Sequence, residues 1–490
     1  MTKSKIFYGW ILGFILVLAF LLRILVFSYR DSFEDDECRI LLAFLDKSWW
    51  QMFLSLGEAQ QAPPFFIVFM RIWGNIFSYN EKCLKIVPLF MSFATIILFY
   101  KLSIKFLHNK FSILIANFLF AINIKLITFS SIIKQYTGDV LLALICCLIF
   151  HKLDIVELSK KKLVILAIFL LALPLMSLPS LFFIAALFVT NWLKNMKNKE
   201  FYIRSLLLLT PFVINLVLYY IFNLAPSKQS FDLLYPHSWD YGLIGFSLKN
   251  FIAMHKLVIN FLFFPNIYVL FAIIIFYFGI FCACKDKQIT LLSSFINCVL
   301  LFALFASMLK LYPLEGRVAL YLTPFLILLF VKPFDRFQVK NYIIYLYIIF
   351  FVFAFCNYNF NYFINITTNS DIFINYSPKL LMQTLIKKFD PKTDIVLCNE
   401  ASASSYLFYS SLYKFKNDEI FKLALKHRNT KEENLEILNQ TKKNQNYWFY
   451  LIKDFRKTPN YPIILEWVYS QNVLYEFHDR NSHLILIRRL

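Results

Sequence analysis

Charge is what this sequence lacks. Charged residues make up 16% of its 490 positions, where a soluble globular protein carries roughly 25%. That deficit excludes an ordinary soluble enzyme. Glycine is scarce as well, at 9 residues, and the chain has no internal repeat and no low-complexity segment. Its 9 cysteines do not read as a disulfide framework. Cys146, Cys147, Cys298 and Cys356 lie inside apolar runs, where cysteine behaves as a small hydrophobe. Cys282 and Cys284 form a C-x-C at the end of one such run, without the second Cys or His pair of a zinc site. A secreted disulfide scaffold is therefore excluded. What the chain has instead is apolar mass: 59% hydrophobic, 19% aromatic and 58 Phe, which also excludes a disordered chain.

The apolar residues come in successive runs of about 20, the length that crosses a bilayer as a helix. Candidate spans are 6–28, 84–107, 111–129, 137–154, 163–177, 179–194, 201–224, 257–283, 289–310, 318–333 and 341–357. The first follows a basic start and lacks a small-residue cleavage site, so it reads as a retained span. One further stretch, 62–79, starts at Pro63-Pro64 and contains Arg71. Lysine and arginine favour the cytoplasmic side. With Lys3 and Lys5 inside, the loop 29–47 faces out, and it holds three basic against six acidic residues. The basic connections at 101–110, 152–162, 194–204, 285–287 and 332–340 then all fall inside, provided that 62–79 does not cross. That stretch is read as a re-entrant or interfacial helix. Eleven spans leave the C-terminus outside.

Net charge is +20. Residues 358–490 hold 18 basic and 13 acidic residues, so most of the excess lies in the first 357 residues and chiefly in the inside loops. It is an orientation signal and implies no nucleic-acid partner. After residue 357 the composition turns polar. Runs at 394–399, 446–452, 472–477 and 483–488 read as strands, the last two as a hairpin across Asp479-Arg480-Asn481. Segments 377–389, 401–413 and 430–440 read as helices. The fold class is a membrane all-α bundle of about 11 spans (residues 1–357), with interfacial helices in its first outer loop. A small α/β domain on the outer face (358–490) completes it.

The outer loop reads Asp31-Ser-Phe-Glu34-Asp35-Asp36-Glu37. Five acidic residues within seven positions, next to a span, read either as a solvated, topology-neutral loop or as a carboxylate site at the membrane surface. Cys38–Phe44 and Ser48–Leu56 follow as short amphipathic helices, with Trp49 and Trp50 as interfacial anchors. Gln60-Gln61-Ala62-Pro63-Pro64-Phe65 then pins the chain. Two more polar sets reach the same face. One is Lys134-Gln135-Tyr136-Thr137-Gly138-Asp139, where Asp139 stands at the mouth of a span as a functional acid or a first-turn cap. The other is Lys310-Leu-Tyr312-Pro313-Leu-Glu315-Gly316-Arg317. Carboxylates beside Lys134 and Arg317 suit an alcohol nucleophile and an anionic leaving group.

In this order (basic N-terminus, span, Asp36-Glu37, interfacial helices, Pro-Pro-aromatic, Tyr136-x-x-Asp139) the sequence resembles the GT-C class of membrane glycosyltransferases. The bacterial protein O-mannosyltransferases and the lipid A aminoarabinose transferase are the members it looks like. The likeness covers most of residues 1–357, and Gly316–Pro324 resembles the late arginine-containing span of the class. It implies Asp36 as catalytic base with Glu37 beside it, and Gln61, Lys134, Tyr136, Asp139 and Arg317 as substrate-binding residues. It also implies a polyprenyl-phosphate-linked sugar as donor, and a lipid, glycan or protein hydroxyl as acceptor. Gln60-Gln61 departs from relatives that place Glu-Lys before the prolines. A divalent metal is left open, with Asp36, Glu37 and Asp139 as its available acids. The rival readings are a polytopic transporter or flippase and an assembly factor. Against a transporter stand the clustering of ionisable residues at one mouth and the lack of repeated halves.

Overall fold

The computed structural model describes residues 3–45, 47–57, 60–234, 269–287, 289–314, 316–336, 378–415, 421–425, 431–452, 461–479 and 482–489. The expected span 341–357 and the first part of 257–283 lie outside them. The chain divides into two compact units. The first is Met1–Ser28, Trp49–Ile76 and Leu84–Tyr362; the second is Tyr29–Ser48, Phe77–Cys83 and Phe363–Leu490. Most of the acidic outer loop thus groups with the C-terminal region, from which the sequence reading had separated it.

The first half of the chain carries α1 (Lys3–Tyr29), α2 (Asp35–Leu45), α3 (Pro64–Phe77), α4 (Glu81–Phe106), α5 (Lys110–Ala121), α6 (Ile124–Phe129), α7 (Tyr136–Phe150), α8 (Lys160–Met176), α9 (Ser180–Asn195), α10 (Lys199–Tyr219) and α11 (Ala225–Leu234). After it come α12 (Val269–Cys284), α13 (Thr290–Met308) and α14 (Thr323–Arg336). Among the described residues, five helical stretches are long and apolar enough to cross a membrane: Ile6–Tyr29, Glu81–Phe106, Lys199–Ser230, Thr290–Met308 and Gly316–Asp335. They mark an integral membrane protein. Among the described residues, several of the expected spans are too short to qualify. A straight crossing takes about 20 residues, while α8 and α9 have 17 and 16. The expected span 111–129 is two helices, broken at Ile122 and restarted where the Asn123 side chain accepts the Leu126 N–H. The stretch 62–79 is a single 14-residue helix, α3.

Aromatic stacking fills the interior of this bundle, as between Phe99 and Phe120, 4.2 Å apart. Faces such as Trp10, Phe14, Val17 and Leu21 of α1, and Leu206, Leu207 and Val213 of α10, stay exposed in the isolated chain. They are the faces that suit lipid. One of the few glycines has a packing reason: Gly279 lies against the Leu329 carbonyl, where a Cβ would clash, so α12 and α14 cross at the closest range.

Arg23 in α1 is fully buried. Its Nε donates to Ser92 Oγ at 2.7 Å and its Nη1 to the carbonyls of Ala19 (2.9 Å) and Ala121 (3.2 Å). The guanidinium also lies 5.8 Å from the Phe120 ring centroid. The break after α5 leaves its last carbonyls without helical partners. A cation there satisfies them and suits the negative end of the helix.

A second buried cation ties three segments together. Lys332 Nζ lies 2.8 Å from Asp286 Oδ2 and 2.9 Å from Asp335 Oδ2, and it donates to the Phe106 carbonyl at 3.0 Å. Asp335 Oδ1 in turn accepts the His108 and Asn109 N–H groups at 2.8 and 2.7 Å.

In the second unit, β1 (Asp394–Asn399), β2 (Phe421–Leu425), β3 (Asn446–Ile452), β4 (Asn472–Asp479) and β5 (Ser482–Arg488) form one sheet in the order β2-β1-β3-β5-β4. β1 pairs in parallel with β2 and β3, while β5 runs antiparallel to β3 and β4. Around it lie α15 (Pro378–Lys388), α16 (Glu400–Leu412), α17 (Lys431–Asn439) and α18 (Tyr461–Tyr469). The run 446–452 is buried almost throughout and does not alternate between core and water. Helices cover both faces of it, as is usual for strands in parallel sheets. On one face Tyr447, Phe449 and Leu451 pack with Ile464 and Trp467 of α18. On the other, Tyr450 meets Tyr406 of α16 and donates to the Pro378 carbonyl at 2.7 Å. Strand β2 and helix α18 are absent from the sequence reading, since both are short.

Replacing Lys332 with Met leaves the buried Asp335 carboxylate without its cation. Such a loss costs about 3–5 kcal/mol, so the variant melts at a clearly lower temperature in detergent or nanodiscs. Adding Asp335→Asn in the same chain restores part of the loss.

Candidate active site

The acidic loop explains its own helix. Glu34 precedes α2, and Glu37 stands three residues later. The Glu37 carboxylate reaches back to accept the Glu34 N–H at 2.9 Å, which is one half of a capping box. Acids in a first turn also suit the positive end of a helix. Arg30 then pairs with both glutamates, its Nη2 2.6 Å from Glu34 Oε1 and 3.1 Å from Glu37 Oε2. Arg39 Nε lies 2.9 Å from Asp35 Oδ2. So arginines hold three of the five acids of 31–37. Glu37 is fully buried, whereas Asp36 is half-buried in the first turn of α2.

Helix α2 was expected to lie on the membrane interface from Cys38 to Phe44. It is longer, and Cys38, Ile40 and Leu41 are fully buried. It packs on α16, within the second unit.

The remaining site residues belong to the first unit. Lys134, buried in the turn before α7, donates from Nζ to Gln60 Oε1 at 2.8 Å. The neighbouring Gln135 amide donates to the Gln61 carbonyl at 3.3 Å. Gln61 takes part here through its backbone carbonyl, and the residue is exposed. Arg317 opens the 3-10 helix Gly316–Leu322, which packs against α7. Its guanidinium lies 5.6 Å from the Tyr136 ring centroid, a cation–π distance. One turn further along α7, Asp139 Oδ1 accepts the Ser177 hydroxyl at 2.6 Å. Asp139 is within electrostatic reach of Tyr312 and Tyr321, and the Tyr321 hydroxyl is buried without a hydrogen-bond partner. The structure thus brings Gln60, Gln61 and Lys134 together, and pairs Tyr136 with Arg317. Asp36 and Glu37 lie together in the second unit.

Several partners escaped the sequence reading. Gln60 was quoted only as a neighbour of the prolines. Ser177 carries a signal in hindsight, as a polar residue in a turn between two apolar runs. Arg30 could have been read from its spacing, four and seven residues before Glu34 and Glu37.

Most of the acids near the proposed site are engaged by groups of the protein itself. Arg30 takes Glu34 and Glu37, Arg39 takes Asp35, and Ser177 takes an oxygen of Asp139. Among the described residues, one group of His and carboxylate oxygens lies close enough to share a cation: His108, Asp286 and Asp335. The Lys332 ammonium already sits at two of its carboxylates. No metal step is derived.

Glu37→Ala removes the capping acceptor and one acid of the buried Arg30 together. The expected cost is about 3 kcal/mol, seen as early melting of the second unit. Glu37→Gln keeps the cap and loses less, by the same thermal measurement.

No family model matches the sequence, and no curated protein matches it. Solved structures do. ArnT from Cupriavidus metallidurans bound to undecaprenyl phosphate is similar over 98% of this chain and 98% of its own, at 11% identity and a TM-score of 0.52. In its apo state the figures are 99%, 98%, 10% and 0.53. The archaeal oligosaccharyltransferase AglB from Archaeoglobus fulgidus covers 99% of this chain and 74% of its own, at 11% identity and a TM-score of 0.48. The likeness to ArnT spans the membrane bundle and the C-terminal sheet alike, so this chain has the GT-C fold.

Proposed function

We propose that the protein is a glycosyltransferase that takes its sugar from a polyprenyl-phosphate carrier. The observation that supports this most is the full-length fold likeness to ArnT, which has been seen with undecaprenyl phosphate bound. The chain also carries an acidic loop at 31–37 and two cations, Lys134 in the turn before α7 and Arg317 in the 3-10 helix Gly316–Leu322.

In this reading Asp36 removes the proton from an acceptor hydroxyl. The oxygen attacks the anomeric carbon as the bond from that carbon to the phosphate oxygen breaks, and polyprenyl phosphate leaves. A single displacement inverts the anomeric centre. Lys134 and Arg317 stabilise the charge that grows on the leaving phosphate. Lys134 is held ready by the neutral Gln60 amide, which orients the ammonium and leaves its charge unpaid by that contact. Arg317 is braced on Tyr136. Asp139, fixed by Ser177, positions the acceptor. Glu37 keeps Arg30 in place and so keeps the turn that carries Asp36. The N-terminus is cytoplasmic, and the chemistry occurs on the outer face of the inner membrane. The donor is a polyprenyl-phosphate-linked sugar, and the acceptor is a lipid, glycan or protein hydroxyl of the cell envelope.

Asp36→Asn keeps the size and the helix of Asp36 but not the base. Loss of a positioned general base costs roughly 10²–10⁴-fold in rate. The variant folds, inserts and transfers essentially no sugar in membranes. Transfer at the wild-type rate would sink the assignment.

A further inference from the structure

The second unit contains a hydrogen-bonded hub that the chemistry above does not use. The Tyr409 hydroxyl, on α16, accepts the Phe33 N–H at 2.9 Å and donates to Glu81 Oε1 at 2.8 Å. Glu81 Oε2 pairs with Lys379 Nζ at 3.0 Å. Burial, with Cys38 and the Glu81 carboxylate adding to it, raises the Tyr409 pKa well above its usual value. The phenol therefore keeps its proton and its donor role. Burial opposes the charge on Lys379, but the Glu81 carboxylate outweighs it and holds the ammonium above the usual lysine range.

The hub touches all three stretches of chain that make this unit: 29–48 through Phe33, 77–83 through Glu81, and the C-terminal region through Tyr409 and Lys379. Tyr409 and Glu81 are buried. The Phe33 ring, also buried, packs against the rings of Phe408 and Tyr409 at 5.3 and 6.4 Å. The residue thus pinned lies three positions before Asp36, and the helix that carries Asp36 packs on the helix that carries Tyr409.

We infer that Tyr409 is a positioning residue for Asp36, and that the C-terminal α/β region sets the place of the base through this hydroxyl; this rests on the reading of Asp36 given above. Without the hydroxyl, the Phe33 N–H and Glu81 Oε1 both lose a partner and the start of α2 is no longer fixed. A displacement of about 1 Å in a catalytic group costs on the order of 10²-fold in rate.

The test uses the full chain in membranes and, purified, in nanodiscs. Tyr409→Phe is compared with wild type for sugar transfer, read by mass spectrometry of the glycosylated product, and for retention of undecaprenyl phosphate as the probe lipid. Transfer is expected to fall roughly 10²-fold while lipid retention stays within about twofold of wild type, because positioning acts on the chemical step. In an Asp36→Asn background, Tyr409→Phe is expected to cause no further loss. Full transfer by Tyr409→Phe, or lipid retention that falls in step with transfer, overturns the proposal. The two failures are separable. If Asp36→Asn transfers normally, the base assignment fails. If Asp36→Asn is dead and Tyr409→Phe is fully active, only the positioning role fails. Should Tyr409→Phe not accumulate, Glu81→Gln reads the same hub. It keeps an acceptor for Tyr409 and loses the Lys379 ion pair. A fall in transfer of roughly tenfold with lipid retained supports the proposal, and a full rate overturns it.

Discussion

One phenol holds together the three separate stretches of chain in the second unit. Two of them are short inserts bounded by bundle segments, and neither could fold alone. The loop 29–48 has one amphipathic helix, and 77–83 has no element of its own beyond the first turn of α4. They become part of a unit because Tyr409 satisfies the Phe33 amide and Glu81 at once, and because α2 buries Cys38, Ile40 and Leu41 on the helix behind it. That helix packs in turn on a sheet covered on both faces. A buried amide or carboxylate without a partner costs about 1–3 kcal/mol or more. The hub is therefore an obligation as much as a gain: remove the hydroxyl and the Phe33 N–H and Glu81 Oε1 each lose a buried partner.

The membrane bundle follows the same rule with different partners. Its buried cations are not left to the lipid. Arg23 is met by the carbonyls at a helix break, and Lys332 by two aspartates and a carbonyl. Lys134 is met by a neutral amide. In an apolar surround each arrangement answers the cost of an isolated charge. The carboxylates around Lys332 neutralise it, and the Gln60 amide orients the Lys134 ammonium.

Most of the architecture was legible in the residues. Helix α1, the C-terminal strands 394–399 and 446–452, and helices α15, α16 and α17 follow from apolar patterning. Less legible was whatever depends on distant chain. The Arg30 pairing with Glu34 and Glu37 is local and follows their spacing, whereas the tertiary partners do not. Nothing near Tyr409 points to Phe33, 376 positions away. The split of 111–129 at Asn123 was readable as a cap, but a long apolar run hides such a break. The burial of strand β3 on both faces depends on helices that sit elsewhere in the chain. The grouping of the acidic loop with the C-terminal region has the same origin: apolar patterning assigns each residue to a span or a loop, and does not say which distant surface a loop will cover.

In the proposed function Asp36 is the base, and Lys134 and Arg317 stabilise the leaving phosphate. Comparing the glycolipids and glycoproteins of a deletion strain with those of the same strain carrying the gene, by mass spectrometry, tests it most directly. One sugar-sized mass difference on a single class of carrier, present only with the intact gene, is the expected result. Identical glycolipid and glycoprotein profiles in the two strains would contradict it.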